Sequence, residues 1–180
     1  MLSASTTTLT NRHRADYPKV VGVYSNYDYA FAVRLPKGVV GFNEPAMHPN
    51  HGVWVYLDSA ETIYLWVGAE YNSLFFQSIE EAADSSISWL KEDSTTGVLL
   101  VSREYTQLGG LRACRDVVSY KDKNGLPMIE ESVTAIRKDP SDDVGIVYTL
   151  DVRTPKGRAD HDIEFLESIR KRFVLKPLPK

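Results

Sequence analysis

Sulfur chemistry is nearly absent: the 180 residues contain one cysteine, Cys114. A lone thiol forms no internal disulfide and excludes a thiolate metal cluster. Basic charge is scarce as well. Lys and Arg number 21 against 24 Asp and Glu, for a net charge of -3. Nucleic-acid binders carry a basic excess or stripe. The one basic cluster, IRKRFVLKPLPK near the C-terminal end, is short, so nucleic acid is not an expected partner. Long apolar runs are missing, and nothing approaches the roughly 18 apolar residues of a membrane span. The opening MLSASTTTLTNRHRADYP lacks the apolar centre of a signal peptide. Catalytic signatures are missing too. There is no G-x-S-x-G and no dinucleotide fingerprint, and LGGLRA has neither the spacing nor the lysine of a phosphate loop.

What remains is an ordinary globular composition, 43% hydrophobic and 25% charged. A chain of this length buries roughly 70% of its unfolded surface and folds without staples. Residues 1–18 are polar and aperiodic and read as a disordered leader; residues 19–180 read as one domain. The Ser/Thr-rich leader resembles the segment left after a signal is removed. The expected location is therefore periplasmic or secreted, with a cytoplasmic protein as the alternative.

Periodicity sets the elements. VVGVYSN and YDYAFAVRLP read as strands, the second placing Tyr29, Phe31, Val33 and Leu35 on one face. In HGVWVYLDSAETIYLWV two strands flank a polar turn. One face carries Val53, Val55, Leu57, Ile63, Leu65 and Val67, the other Trp54, Tyr56, Tyr64 and Trp66. Ser78 and Glu81 form a capping box that opens a helix whose apolar stripe is Ile79, Ala82, Ala83, Ser86, Ile87 and Leu90. GVLLVSREYTQL follows as a strand. A hairpin then turns at Asn124-Gly125, which supplies the positive backbone angles of a tight turn. GIVYTLDVRT alternates strictly, with Ile146, Tyr148, Leu150 and Val152 facing one way. A last helix is expected from Asp160, as N-cap, to about Phe173. Strands joined mostly by hairpins, with two helices, predict an α+β fold: a single, mostly antiparallel sheet flanked by helices.

The stretch YSNYDYAFAVRLPKG, with Tyr24, Asn26, Tyr29, Phe31 and Pro36, resembles the opening strand of the PsbP/Mog-type proteins. DHDIEFLESIRKRFV resembles their closing helix, with Phe165, Ile169 and Phe173 at the apolar places. The resemblance implies an α/β/α sandwich and a mostly non-catalytic protein, and it carries over no catalytic residues. In such a sandwich the aromatic face of 53–67 is a second core layer under a helix or the N-terminal segment. The rival reading is an exposed aromatic platform, which would mark a binding site.

Candidate chemistry is thin. His48 and His51 lie three apart in EPAMHPNHG near Glu44, but no helical frame organises them, and no metal or other cofactor is expected. Cys114 lies between Arg112 and Arg115, yet has no local partner base and reads as a small buried hydrophobe. The expected function is binding of another protein, without catalysis, as in an inhibitor or immunity protein against a secreted toxin. The expected contact is the proline-stiffened loop bearing Phe42, Glu44, Met47, His48 and His51. The alternatives are a carbohydrate or small-ligand binder using Trp54 and Trp66, and a hydrolase using His48 or His51.

Overall fold

The computed structural model describes residues 17–43, 50–60, 62–92, 96–139 and 142–178. The N-terminal strands are β1 (Lys19–Val21), β2 (Val23–Asn26), β3 (Phe31–Arg34), β4 (Val40–Asn43), β5 (Gly52–Tyr56) and β6 (Tyr64–Tyr71). Helix α1 (Ile79–Glu92) precedes four long strands: β7 (Thr96–Leu108), β8 (Leu111–Lys121), β9 (Pro127–Asp139) and β10 (Asp142–Pro155). A single 3-10 turn leads into α2 (Ala159–Arg170), and β11 (Phe173–Leu175) follows.

The strands form two sheets, eight in the order β1-β4-β5-β6-β10-β9-β8-β7 and three in the order β11-β3-β2. Every pairing is antiparallel. A single sheet flanked by helices is therefore corrected to a large sheet with a small one. The run VVGVYSN is the cause. Gly22, at φ 79°, turns the chain so that β1 joins the large sheet and β2 the small one. The small sheet is completed by FVL at 173–175, which pairs with β3 rather than extending α2.

One face of the large sheet is fully covered. Val53, Val55, Leu65, Val67, Val133, Tyr148, Leu150 and Val152 pack there against Phe31, Val33, Leu166, Ile169 and Phe173 from the small sheet and α2. On this side Glu131 is buried, and Arg115 satisfies it through two parallel N–H···O bonds of 3.0 and 2.9 Å. The opposite face is covered only in part. Helix α1 lies over β7, β8 and β9, with Ile87 and Leu90 against Val118 and Tyr120. Cys114 packs there against Ile79 and Ala83, and burial pushes its thiol up, as suits a small hydrophobe.

Local details follow the residue chemistry with some corrections. Ser78 Oγ accepts the Glu81 N–H at 3.2 Å, but the Glu81 carboxylate reaches back to Gln77 N–H (2.7 Å), one residue beyond a closed capping box. The β8–β9 turn is organised by Asp122, whose carboxylate accepts the N–H groups of Asn124 and Leu126, and of the Asn-Gly pair only Gly125 has a positive φ. The N-cap of α2 is Arg158, not Asp160. The buried Asp162 instead anchors the helix start by accepting hydrogen bonds from Thr154 and Arg158.

Candidate binding groove

Because α1 stops short of β5, β6 and β10, the partly covered face is left with a groove of about 260 Å³ beside the helix. Its floor comes from three neighbouring strands. Strand β6 supplies Trp66, Gly68 and Glu70; β10 supplies Thr149, Asp151 and Arg153; β9 supplies Glu130 and Ser132. The wall is Ser86 and Trp89 of α1, and His51 stands at one end. Strand register puts these residues together: Trp66 pairs with Asp151, Arg153 with Glu130, and Asp151 with Ser132.

The glycines shape the floor. Gly52 pairs with Gly68, and the Trp66 indole lies across both. A Cβ at Gly68 would meet the indole at 2.4 Å, and one at Gly52 would meet it at 2.7 Å. Trp66 in turn packs at 4.2 Å, centroid to centroid, against Trp54, whose edge contact with Tyr64 is 4.7 Å. His51 is held by its Nδ1, which lies 3.1 Å from the Ala69 carbonyl and 3.2 Å from the Tyr29 hydroxyl.

The electrostatics are unlike those on the covered face. The Glu130 side chain is 5% exposed, and its Oε2 lies 2.6 Å from Arg153 Nε. The two groups form an ion pair buried at the edge of the groove, and neither of these two atoms has a further partner among the described residues. Glu131, the next residue, has both oxygens satisfied. Burial pushes Glu130 up to about 7 against the pull of Arg153. Burial likewise raises Asp151 to about 6, although part of the residue still faces the groove. Glu70 is raised by burial, with His51 opposing. Carboxyls perturbed in this way beside a cleft are a mark of functional sites.

Of the residues expected from sequence, His51 and Trp66 line the groove. Trp54 supports Trp66 from behind, half-buried. The aromatic face is thus neither a sealed core layer nor a bare platform. Phe42 is 1% exposed, pairs with Trp54 and packs on Tyr56, so it is buried on the aromatic face and is not an exposed anchor. Glu44, Met47 and His48 lie outside the described residues. Sequence reasoning missed Trp89, Glu70, Glu130, Asp151 and Arg153. The strict alternation of GIVYTLDVRT does put Asp151 and Arg153 opposite the core residues, but which strands lie beside them depends on the β6-β10-β9 order. Among the described residues there is no cluster of three or more His, Cys, Asp or Glu suited to a metal ion. No helix among them is long and apolar enough to cross a membrane.

Cyanobacterial PsbP (CyanoP) from Synechocystis sp. PCC 6803 superposes with a TM-score of 0.60 over 87% of this chain and 94% of that chain. The chain has a PsbP-like fold. Sequence identity in that match is 12%, so the likeness is one of fold alone. LpqN of Mycobacterium tuberculosis, described as involved in cell envelope biogenesis, gives a TM-score of 0.49 at 13% identity, covering 90% of this chain and 86% of that one. No protein-family model matches the chain, and no curated protein sequence matches it.

Proposed function

We propose that this PsbP-like chain is a non-enzymatic binding protein that takes a small ligand in the groove beside α1. The observation that carries this reading is the groove of about 260 Å³ itself, with Trp66 in its floor, Trp89 in its wall, and Asp151 and the Glu130–Arg153 ion pair lining it. A concave site with aromatic surfaces and a few polar groups is the usual form of a ligand pocket. All three tryptophans lie in or next to the groove, so emission reports directly on it. A panel of sugars, amines and short peptides is expected to contain a ligand that shifts both emission and melting temperature. Trp89→Ala, at a 59% exposed position, should abolish both responses and leave the unliganded melting temperature unchanged. Silence across the whole panel would overturn the reading.

A second reading, a protein partner such as a secreted toxin, draws on the edge strand β7. Leu99, Leu100 and Val101 are 62%, 39% and 58% exposed there. Open edges invite strand addition. Leu99→Lys with Val101→Lys should then abolish complex formation at unchanged stability, and a complex that survives the double change contradicts it. Export belongs to the same proposal and is tested by cell fractionation.

A further inference from the structure

We propose that the groove holds a protonated alkylamine, its ammonium group seated between the carboxylates of Glu130 and Asp151 and the rings of Trp66 and Trp89. The inference rests on the groove being a ligand site and names the chemistry of the ligand.

Charge favours a cation. Among the described residues, Glu70, Glu130 and Asp151 line the groove against one guanidinium, Arg153, an acidic excess when the carboxyls are ionised. Arg153 is already engaged by Glu130 at 2.6 Å, so it offers little to an anion. Hydrogen bonding favours an N–H donor. Ionised, the carboxylates of Glu130 and Asp151 only accept, and an ammonium group supplies hydrogen bonds of the charge-assisted kind. A quaternary ammonium cannot make such bonds. The walls favour a cation again, because indole faces attract positive charge. Size favours a small group: about 260 Å³ lies below the roughly 300–1,000 Å³ typical of drug-sized ligands.

The titratable groups facing this floor are Tyr64 and Glu70 from β6, Tyr120 from β8, Glu130 from β9, Asp151 and Arg153 from β10, and His51 before β5. From α1 come Ser86 and Trp89, neither of which titrates. An alkylamine stays protonated to about pH 10. Its capture therefore draws protons off Glu130 and Asp151, and affinity increases with pH through the range where those carboxyls ionise.

The test is calorimetric titration of the full chain with 1,4-diaminobutane in phosphate buffer, which carries no amine of its own. Butane-1,4-diol serves as the neutral counterpart of equal length. The diamine is expected to bind at least tenfold more tightly than the diol, with affinity rising at least about tenfold from pH 5.5 to pH 8. Asp151→Asn should lower affinity at least tenfold and flatten the pH dependence. Glu130→Gln repeats the affinity test should Asp151→Asn fail to fold. A tetralysine peptide that binds more tightly than the diamine would assign the amine to a protein partner; weaker binding would assign it to a free amine. Equal binding of diol and diamine, with a signal lost in Trp89→Ala, would overturn the amine and keep the groove. Absence of diamine binding in folded protein would overturn the amine outright.

Discussion

Trp66 keeps its place because Gly52 and Gly68 have no side chains to lift it off the sheet. Gly68→Ala would put a methyl within 2.4 Å of the indole. The ring must then swing away, and the expected result is a red-shifted emission with loss of ligand response, read by fluorescence. Phe42 is a contrasting case. It sits in a segment with no amphipathic period, yet it is 1% exposed against Tyr56. Phe42→Ala should cost about 3–5 kcal/mol in denaturant unfolding, the range for a large-to-small change at a buried site. A loss below about 1 kcal/mol would mean that the site collapses around the missing ring. Residue identity alone could not separate these cases. Aromatic type signals large buried area, but whether a neighbour, a helix or a ligand covers it is settled by strands distant in sequence.

At the scale of elements, α1 shows what was legible. Its buried residues Ile79, Ala82, Ala83, Ile87 and Leu90 were all visible in the 3.6-residue period. The apolar alternation of β5, β6 and β10 gave the core face in the same way. The start of α2 was not legible. An aspartate before an apolar stripe reads as an N-cap, but here the anchoring carboxyl lies within the first turn, at Asp162. Burial works against its ionisation. Hydrogen bonds from Thr154, His161 and Arg158 outweigh burial and hold the carboxyl below its ordinary range. Asp162→Ala leaves Thr154 without its acceptor inside the core and should cost about 1–3 kcal/mol, checked by thermal or urea unfolding. An unchanged midpoint would show that the 3-10 turn at 156–158 supports the helix unaided.

Across the whole molecule, two sets of carboxyls pull stability in opposite directions. Glu130, Asp151, Glu131 and Glu70 have raised values, chiefly from burial. Their folded forms hold protons more tightly than the unfolded chain does. That contribution is complete below the ordinary carboxylate range and is lost as pH climbs through about 6 to about 7 for Asp151 and Glu130. Asp162, Asp58 and Glu167 have lowered values. Their contribution is present above the ordinary range and is lost as pH falls below it. The melting temperature in amine-free buffer should therefore peak near about pH 5 and decline toward pH 8. A steady rise to pH 8 would show that the groove carboxyls are solvated in the folded protein.

The large sheet also has a kinetic side. β4-β5-β6 and β7-β8-β9-β10 are each built from sequential neighbours, and the β6–β10 ladder joins them by pairing Tyr64 with Arg153 and Tyr71 with Ile146. Closing it brings together segments about eighty residues apart, and non-local pairings of this kind form late. Trp66 stands on one side of that ladder and Asp151 on the other. During refolding the two meanders can each mature while the groove does not yet exist. The capacity to capture a ligand should then emerge with the slowest refolding phase, after most of the strand structure has formed.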